Sequence, residues 1–436
     1  MGYFDDYNEN MRNEKIPYDD IPISRGHAPR RTERNAAPKI KILTVMVAIL
    51  FILNIVLCCT TFYFLKNSKS KTVNVYYNEL KPTQESISNY AKAEAKWSSV
   101  CIAAGGSCND YDSFFHNTRS KGSGVIYKID KTKGVIYFLT CNHVIDGHDN
   151  IWVMLPSQLD PIKVKLVSAA AYYDIAVLSY ETDDVDDVLD SCTAVKLYDT
   201  TYLSEGEDVF AVGNPLSGGF SITTGVVSRL NTMITIDTNR YESREIQTSA
   251  DINPGNSGGG LFNYKGELVG IVNAKLETAK SGTTTITVAG TAYAIPGNLA
   301  FGIADSIIEN NSRATYVDLG VTFKHDSVGV TQNYEPYGSD YKFVESYKVL
   351  VESVEDGSIA YRKLHVGDVV ESIEFDVLKN GNIVHVVVKM YNKFVFEDYS
   401  YSIIKNSNIK FNIKTAGSEE PKTIVIEASS TKEIAW

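Results

Sequence analysis

A basic surplus is missing from this sequence: forty-two Lys and Arg stand against fifty-three Asp and Glu, a net charge of −11. Proteins that grip nucleic acid through its phosphates usually show the opposite balance, so that class is excluded as the general role. Cysteine is scarce, six residues with no CxxC pair, which rules out a disulfide-built miniprotein and a zinc-ribbon or thioredoxin-like site. The seven His form no HExxH or HxxxH pair, so no metal centre and no cofactor are expected. Twelve Pro and thirty Gly exclude a collagen-like or Pro-rich fibre. Hydrophobic residues at 44% and charged residues at 22% are ordinary globular values and exclude wholesale disorder. At roughly 150 residues per domain, 436 residues suggest two or three units.

One long hydrophobic run is present. Residues 42–65, ILTVMVAILFILNIVLCCTTFYFL, carry no charge. As a helix they would span about 36 Å, enough to cross a bilayer with some tilt. Arg25, Arg30, Arg31, Arg34, Lys39 and Lys41 precede the run, against Lys66, Lys69 and Lys71 after it. The positive-inside rule then puts segment 1–41 in the cytoplasm and everything after the run outside, extracellular or periplasmic. The run exceeds a usual signal-peptide core of about 7–15 residues and no A-x-A-like site follows, so a retained single-pass anchor is expected. Residues 66–97 are polar and read as a stalk, helical toward YAKAEAKW.

From about residue 98 the texture changes to short β-branched and aromatic runs between turns, such as GVIYFLT, IWVML, DIAVLSY and ELVGIV. Many short strands without intervening helices indicate an antiparallel barrel or sandwich. In LAFGIADSIIEN, Leu299, Ile303 and Ile307 recur at helical spacing and close this unit near 312. Three stretches within it carry chemistry: TCNHVIDG with His143, YYDIAVLSY with Asp174, and TSADINPGNSGGGLF with Ser257. Each is weak alone, since a lone His or a pre-strand Asp is commonly structural. Together, in the order His…Asp…Ser and each at a strand edge, they match the chain order of a chymotrypsin-type triad.

The motifs TCNHVI, DIAVL, VGNPL, TTGVVS, QTSADINPGNSGGGLFNYKGELVGI and YAIPGN resemble, in order, those of HtrA/Deg-type serine proteases. The resemblance implies a mostly β fold, a chymotrypsin-like double β-barrel over 98–312. It also implies that Ser257 is the nucleophile, His143 its base and Asp174 the orienting carboxylate, with the turn Gly255, Asn256 and Ser257 as oxyanion hole. Two departures stand out. Cys141 occupies a position where the family usually has a small polar residue, and reads as a small buried apolar side chain. Lys275 falls where relatives place an apolar residue near the specificity pocket, which leaves the P1 preference open. Cys101 and Cys108 could close a short loop, but four outer cysteines allow three pairings and the pairing stays open.

Residues 316–430 read as strands, a short helix from Ser358, a turn at Gly367-Asp368, a second helix near 399–405 and a closing hairpin, with a further hairpin inserted at 374–394. They resemble the PDZ-like α/β domain that follows HtrA-type proteases. Leu319, Gly320 and Val321 are then the peptide-binding loop for a partner's C-terminus. By the same resemblance the substrates are unfolded or damaged exported proteins, and the chain assembles as a homo-trimer or larger. The rival reading is a non-catalytic surface scaffold.

Overall fold

The short β-branched runs become strands because each puts one face into a core and pairs its backbone with the next run. The computed structural model describes residues 89–434, apart from 157, 159, 184–191, 215–218, 237–240, 276–277, 282–283, 288–290, 311, 338–339, 380–381 and 419. The described residues fall within one unit, Tyr76–Trp436. The segment 1–41, the apolar run 42–65 and most of the stalk lie outside the described residues. The stalk's end is helix α1, Asn89–Trp97. Among the described residues, no helix is long and apolar enough to cross a membrane.

Six strands close a first barrel: β1 (Ser99–Gly106), β2 (Thr118–Asp130), β3 (Val135–Cys141), β4 (Ile151–Met154), β5 (Ile162–Ala170) and β6 (Ile175–Glu181), in the order β1-β2-β3-β6-β5-β4. Its core packs Val100, Ile102, Ile126, Phe138, Leu139 and Val177. Strand β1 is buried on both faces rather than alternately. The reason is a helix not foreseen from the sequence, α2 (Tyr111–His116), capped by reciprocal hydrogen bonds between Asp110 and Ser113. Phe114 of α2 covers Cys101 and Ala103 on the outer face of β1, together with Trp152 and Met154. Helix α3 (Asn142–Ile145) is a single turn directly after β3.

A second barrel closes in the order β10-β11-β14-β9-β8-β7. Its strands are β7 (Asp208–Gly213), β8 (Ser221–Ile236), β9 (Tyr241–Thr248), β10 (Gly260–Asn263), β11 (Leu268–Lys275) and β14 (Ala292–Pro296). Between β11 and β14 stands a small hairpin, β12 (Thr278–Ser281) with β13 (Thr284–Thr287). Helix α4 (Gly297–Glu309) follows, and Leu299, Ala300, Ile303, Ala304 and Ile307 return to the first barrel's core as the sequence periodicity requires.

Beyond α4, β15 (Thr315–Val317) pairs with β22 (Thr431–Glu433). A sheet runs β16-β17-β18-β20-β21, from Val321–Tyr337, Asp340–Val354, Val369–Lys379, Asn408–Lys414 and Pro421–Glu427, and β19 (Asn382–Lys389) pairs with β18 as the inserted hairpin. Helix α5 (Val395–Ser400) stands a few residues earlier than expected. The helix expected from Ser358 is absent: the stretch forms successive turns, Tyr361 N–H to Ser358 O and Lys363 N–H to Ala360 O. Arg362 at φ +62° breaks any helical continuation.

Helix α5 is anchored on the barrels by buried charge. Arg244 of β9 pairs with Asp398 and approaches Glu397 at 3.9 Å, and its Nη1 donates to Asn231 Oδ1 at 3.0 Å. Burial pushes the Asp398 carboxyl up to about 6, against the pull of Arg244. Tyr173 Oη donates to Glu397 at 2.8 Å and Tyr399 Oη donates to Asp199 at 3.0 Å. Among the described residues, Cys101, Cys108, Cys141 and Cys192 are all buried free thiols, so the loop closure considered for Cys101 and Cys108 does not occur in this structure. Burial pushes the Cys101 thiol up to about 12.

Candidate active site

The three sequence-singled residues sit where strands end or begin. His143 lies in the single turn α3 after β3, Asp174 ends the 3₁₀ turn Ala171–Tyr173 before β6, and Ser257 precedes β10. Strands β3 and β6 are neighbours, with Cys141 opposite Ile175, so their loops emerge side by side. Asn142 N–H then donates to Asp174 O at 3.0 Å. Asp174 holds φ +54°, a left-handed conformation that Asp tolerates better than most residues and that often marks functional sites. Its carboxylate faces His143 with both oxygens: Oδ1 accepts the His143 backbone N–H at 2.8 Å, and Oδ2 meets Nδ1 at 2.6 Å. Burial works against the imidazolium, but the hydrogen bond and charge of Asp174 outweigh it and raise the His143 pKa above its ordinary value. The arrangement orients the ring with Nδ1 toward Asp174 and leaves Nε2 for another partner.

The turn before β10 is built for close approach. Gly255 takes φ +99°. Gly258 takes φ +84°, and a Cβ there would lie 2.2 Å from Ser123 O, so only glycine fits. Ser123 of β2, fully buried, clamps this turn. Its N–H donates to Ser257 O at 2.8 Å and its Oγ donates to Gly255 O at 2.7 Å. The same Oγ accepts Asn214 N–H at 2.9 Å, while Ser123 O accepts the Thr140 hydroxyl at 2.8 Å. Among the described residues, neither Gly255 N–H nor Ser257 N–H is engaged, so both are open to an incoming oxyanion. Asn256 differs: its N–H is bonded to Asn253 O at 3.0 Å and its side chain is buried. It shapes the turn that presents the N–H groups of Gly255 and Ser257.

Ser257 is not bonded to His143 among the described residues. Its hydroxyl donates to the Asn273 carbonyl at 2.9 Å. That carbonyl is available because β11 bulges: its pairing with β14 slips between Val272 and Ala274, leaving Asn273 as the extra residue. Cys141 is fully buried and its thiol donates to Val272 O at 3.3 Å. Burial, with Asp174 and Glu245 nearby, holds that thiol far above its ordinary range. Cys141 Sγ, His143 and Asp174 offer three ligand atoms within 4.8 Å of one another. Sequence reading missed the contacts of Ser123 and Asn273 and the closeness of Cys141 to the His143–Asp174 pair; only the C-x-H spacing hinted at the last.

Of the remaining sequence-singled positions, the side chain of Lys275 lies outside the described residues. Leu319 is buried, Gly320 holds φ +65° and Val321 opens β16, which lies at an end of the sheet order.

The trypsin-like peptidase domain model matches residues 122–271, a span that contains His143, Asp174 and Ser257. Serine protease Do-like HtrA of Lactococcus lactis subsp. cremoris is 33% identical over 298 residues, 66% of this chain and 69% of that protein. Serine protease Do-like HtrA of Lactobacillus helveticus is 28% identical over 357 residues, 79% of this chain and 82% of that protein. A solved HtrA-type protease, AlgW with tripeptide, is 26% identical with a TM-score of 0.47, covering 77% of this chain and 95% of that one. The chain therefore belongs to the HtrA family of serine proteases and is a serine endopeptidase with a trypsin-like peptidase domain.

Proposed function

We propose that this endopeptidase is membrane-anchored and faces outward, and that it cleaves unfolded or damaged exported proteins through an acyl-enzyme formed on Ser257. The observation that carries the reading is the double grip of Asp174 on His143 beside a glycine turn with two unengaged N–H donors. Ser257 first rotates off Asn273 O, at a cost of about one neutral hydrogen bond, ~1 kcal/mol. His143 Nε2 takes the hydroxyl proton as Oγ attacks the scissile carbonyl, and Asp174 stabilises the imidazolium. The carbonyl oxygen becomes an oxyanion held by Gly255 and Ser257 N–H. His143 then protonates the leaving amine, and water releases the acyl group by the same steps in reverse roles.

The C-terminal sheet is read as a PDZ-like domain whose loop Leu319, Gly320 and Val321 receives a peptide C-terminus as a strand beside β16. Assembly as a trimer or larger belongs to the same reading. A second reading, a protease held at rest until such a peptide binds, is favoured by the Ser257 hydroxyl lying on Asn273 O. The test follows cleavage of an unfolded model protein by the full-length chain and by Ser257→Ala, each with and without a panel of free C-terminal peptides. Cleavage only by the parent supports the catalytic assignment, and cleavage that waits for a peptide supports the resting form. Silence from the parent under every condition overturns both and returns the scaffold.

A further inference from the structure

We propose that Cys141, His143 and Asp174 form an inhibitory site for a thiophilic divalent cation, with Zn²⁺ as the natural class of occupant. The three side chains offer one sulfur, one ring nitrogen and one carboxylate oxygen, all within 4.8 Å of one another. That is a donor set zinc favours, with the fourth position left to water. Zinc bonds of about 2.0–2.3 Å place tetrahedral ligand atoms roughly 3.3–3.8 Å apart. The widest separations here must close by about 1 Å, and the 2.6 Å contact between Nδ1 and Oδ2 must open by somewhat less. Asp174 stays held while it does so, because Oδ1 keeps the His143 backbone N–H. The cation enters along the His143 ring, whose side chain is 49% exposed against 10% for Asp174.

Binding is an exchange whose atoms balance. Sγ gives its proton to solvent and becomes a thiolate ligand. The proton on Nδ1 of neutral His143 is transferred, through solvent, to Nε2, and Nδ1 takes the metal in its place. Oδ2 exchanges its hydrogen bond for a metal bond. The outcome for catalysis follows from the tautomer. An imidazole metallated on Nδ1 carries its proton on Nε2, the face that must accept the Ser257 proton. The cation thus blocks the base without touching Ser257 or the oxyanion donors. A small polar residue in place of Cys141 would leave two ligands from the dyad and no thiolate, so the thiol is the feature that makes this chain's site metal-sensitive.

The inhibitory consequence rests on the protease reading; the binding itself does not, and the test separates them. Cd²⁺ is titrated into the full-length Ser257→Ala protein and followed by thiolate-to-cadmium charge-transfer absorption, beside the same protein carrying Cys141→Ala. Loss of one thiolate's worth of band in the double variant is expected, and His143→Ala should weaken it. In parallel, Zn²⁺ inhibition of the parent is compared with Cys141→Ala and Cys141→Ser, each normalised to its own metal-free rate. The half-inhibitory concentration should rise at least tenfold in both, and a chelator should restore the parent. An unchanged cadmium band, or equal zinc sensitivity in all three proteins, overturns the proposal. A cadmium band that depends on Cys141, found together with a Ser257-bearing parent that cleaves nothing under any condition, would sustain the site and sink the protease reading instead.

Discussion

Replacing Ser123 by alanine tests whether the oxyanion turn is held from outside itself. The hydroxyl joins Gly255 O at 2.7 Å and Asn214 N at 2.9 Å, so its loss removes two hydrogen bonds at once. Asn214 is buried, and its stranded N–H costs about 1–3 kcal/mol; Gly255 is only half-buried, so its carbonyl can turn to water for less. A destabilisation of about 2–3 kcal/mol follows from these two changes. The Gly255–Asn256 peptide, freed from its clamp, lets the Gly255 and Ser257 donors drift from the oxyanion. Outright loss of one donor is worth about 10²–10³ in rate, so a displaced one should cost about 10- to 100-fold in kcat, with KM changed less than about threefold. The assay is steady-state cleavage of a peptide substrate alongside a thermal melt of the same preparation. Ser123→Cys, which keeps a weak donor and acceptor, should recover part of kcat. A lowered melt with unchanged kcat would refute the reasoning, because it would make Ser123 a fastening of the barrels with no hold on the donors.

Other consequences can be read from the same contacts. On the proposed mechanism His143 acts as a base only when neutral, and Asp174 raises its pKa, so the acid limb of kcat/KM should lie above about 6.5. Asp174→Asn removes the raising interactions and leaves burial, so the limb should move below that value while kcat falls by about 10⁴; a limb that stays in place would refute the assignment. The linkage has a matching sign: the dyad's contribution to stability is complete below the ordinary imidazole pKa and is lost as pH rises through the raised folded value, which a series of melts against pH would register. Arg244→Ala leaves Asp398 buried without its partner and should destabilise the chain by about 3–5 kcal/mol in denaturant titrations, whereas Arg244→Met with Asp398→Leu should recover much of the loss.

What the sequence made legible was local or motif-borne. Strands announced themselves through β-branched runs, and α4 through the spacing of Leu299, Ile303 and Ile307. The His143, Asp174 and Ser257 neighbourhoods were readable because glycine needs and strand edges are written in adjacent residues. The rest depended on distant partners. Helix α2 was hidden because six residues are too few for a periodic signal, and its Asp110–Ser113 cap becomes decisive only once Phe114 has β1 to cover. The segment after Ser358 reads as helical by composition, yet Arg362 is held left-handed and turns take over. Ser123 is an ordinary strand residue until Gly255 and Asn214 arrive from more than ninety residues away. The docking of α5 rests on Arg244 and Asp398, 154 residues apart, which no window along the chain could bring together.

The Asn273 bulge has a consequence for how this site can change in evolution. The resting acceptor of the Ser257 hydroxyl is a main-chain carbonyl, so any amino acid at position 273 supplies the same acceptor atom. Removing it takes the deletion of one residue from β11, which would let Ala274 follow Val272 directly in regular pairing with β14, still opposite Tyr293. The resting place of the Ser257 hydroxyl is thus encoded in strand length, within reach of insertions and deletions.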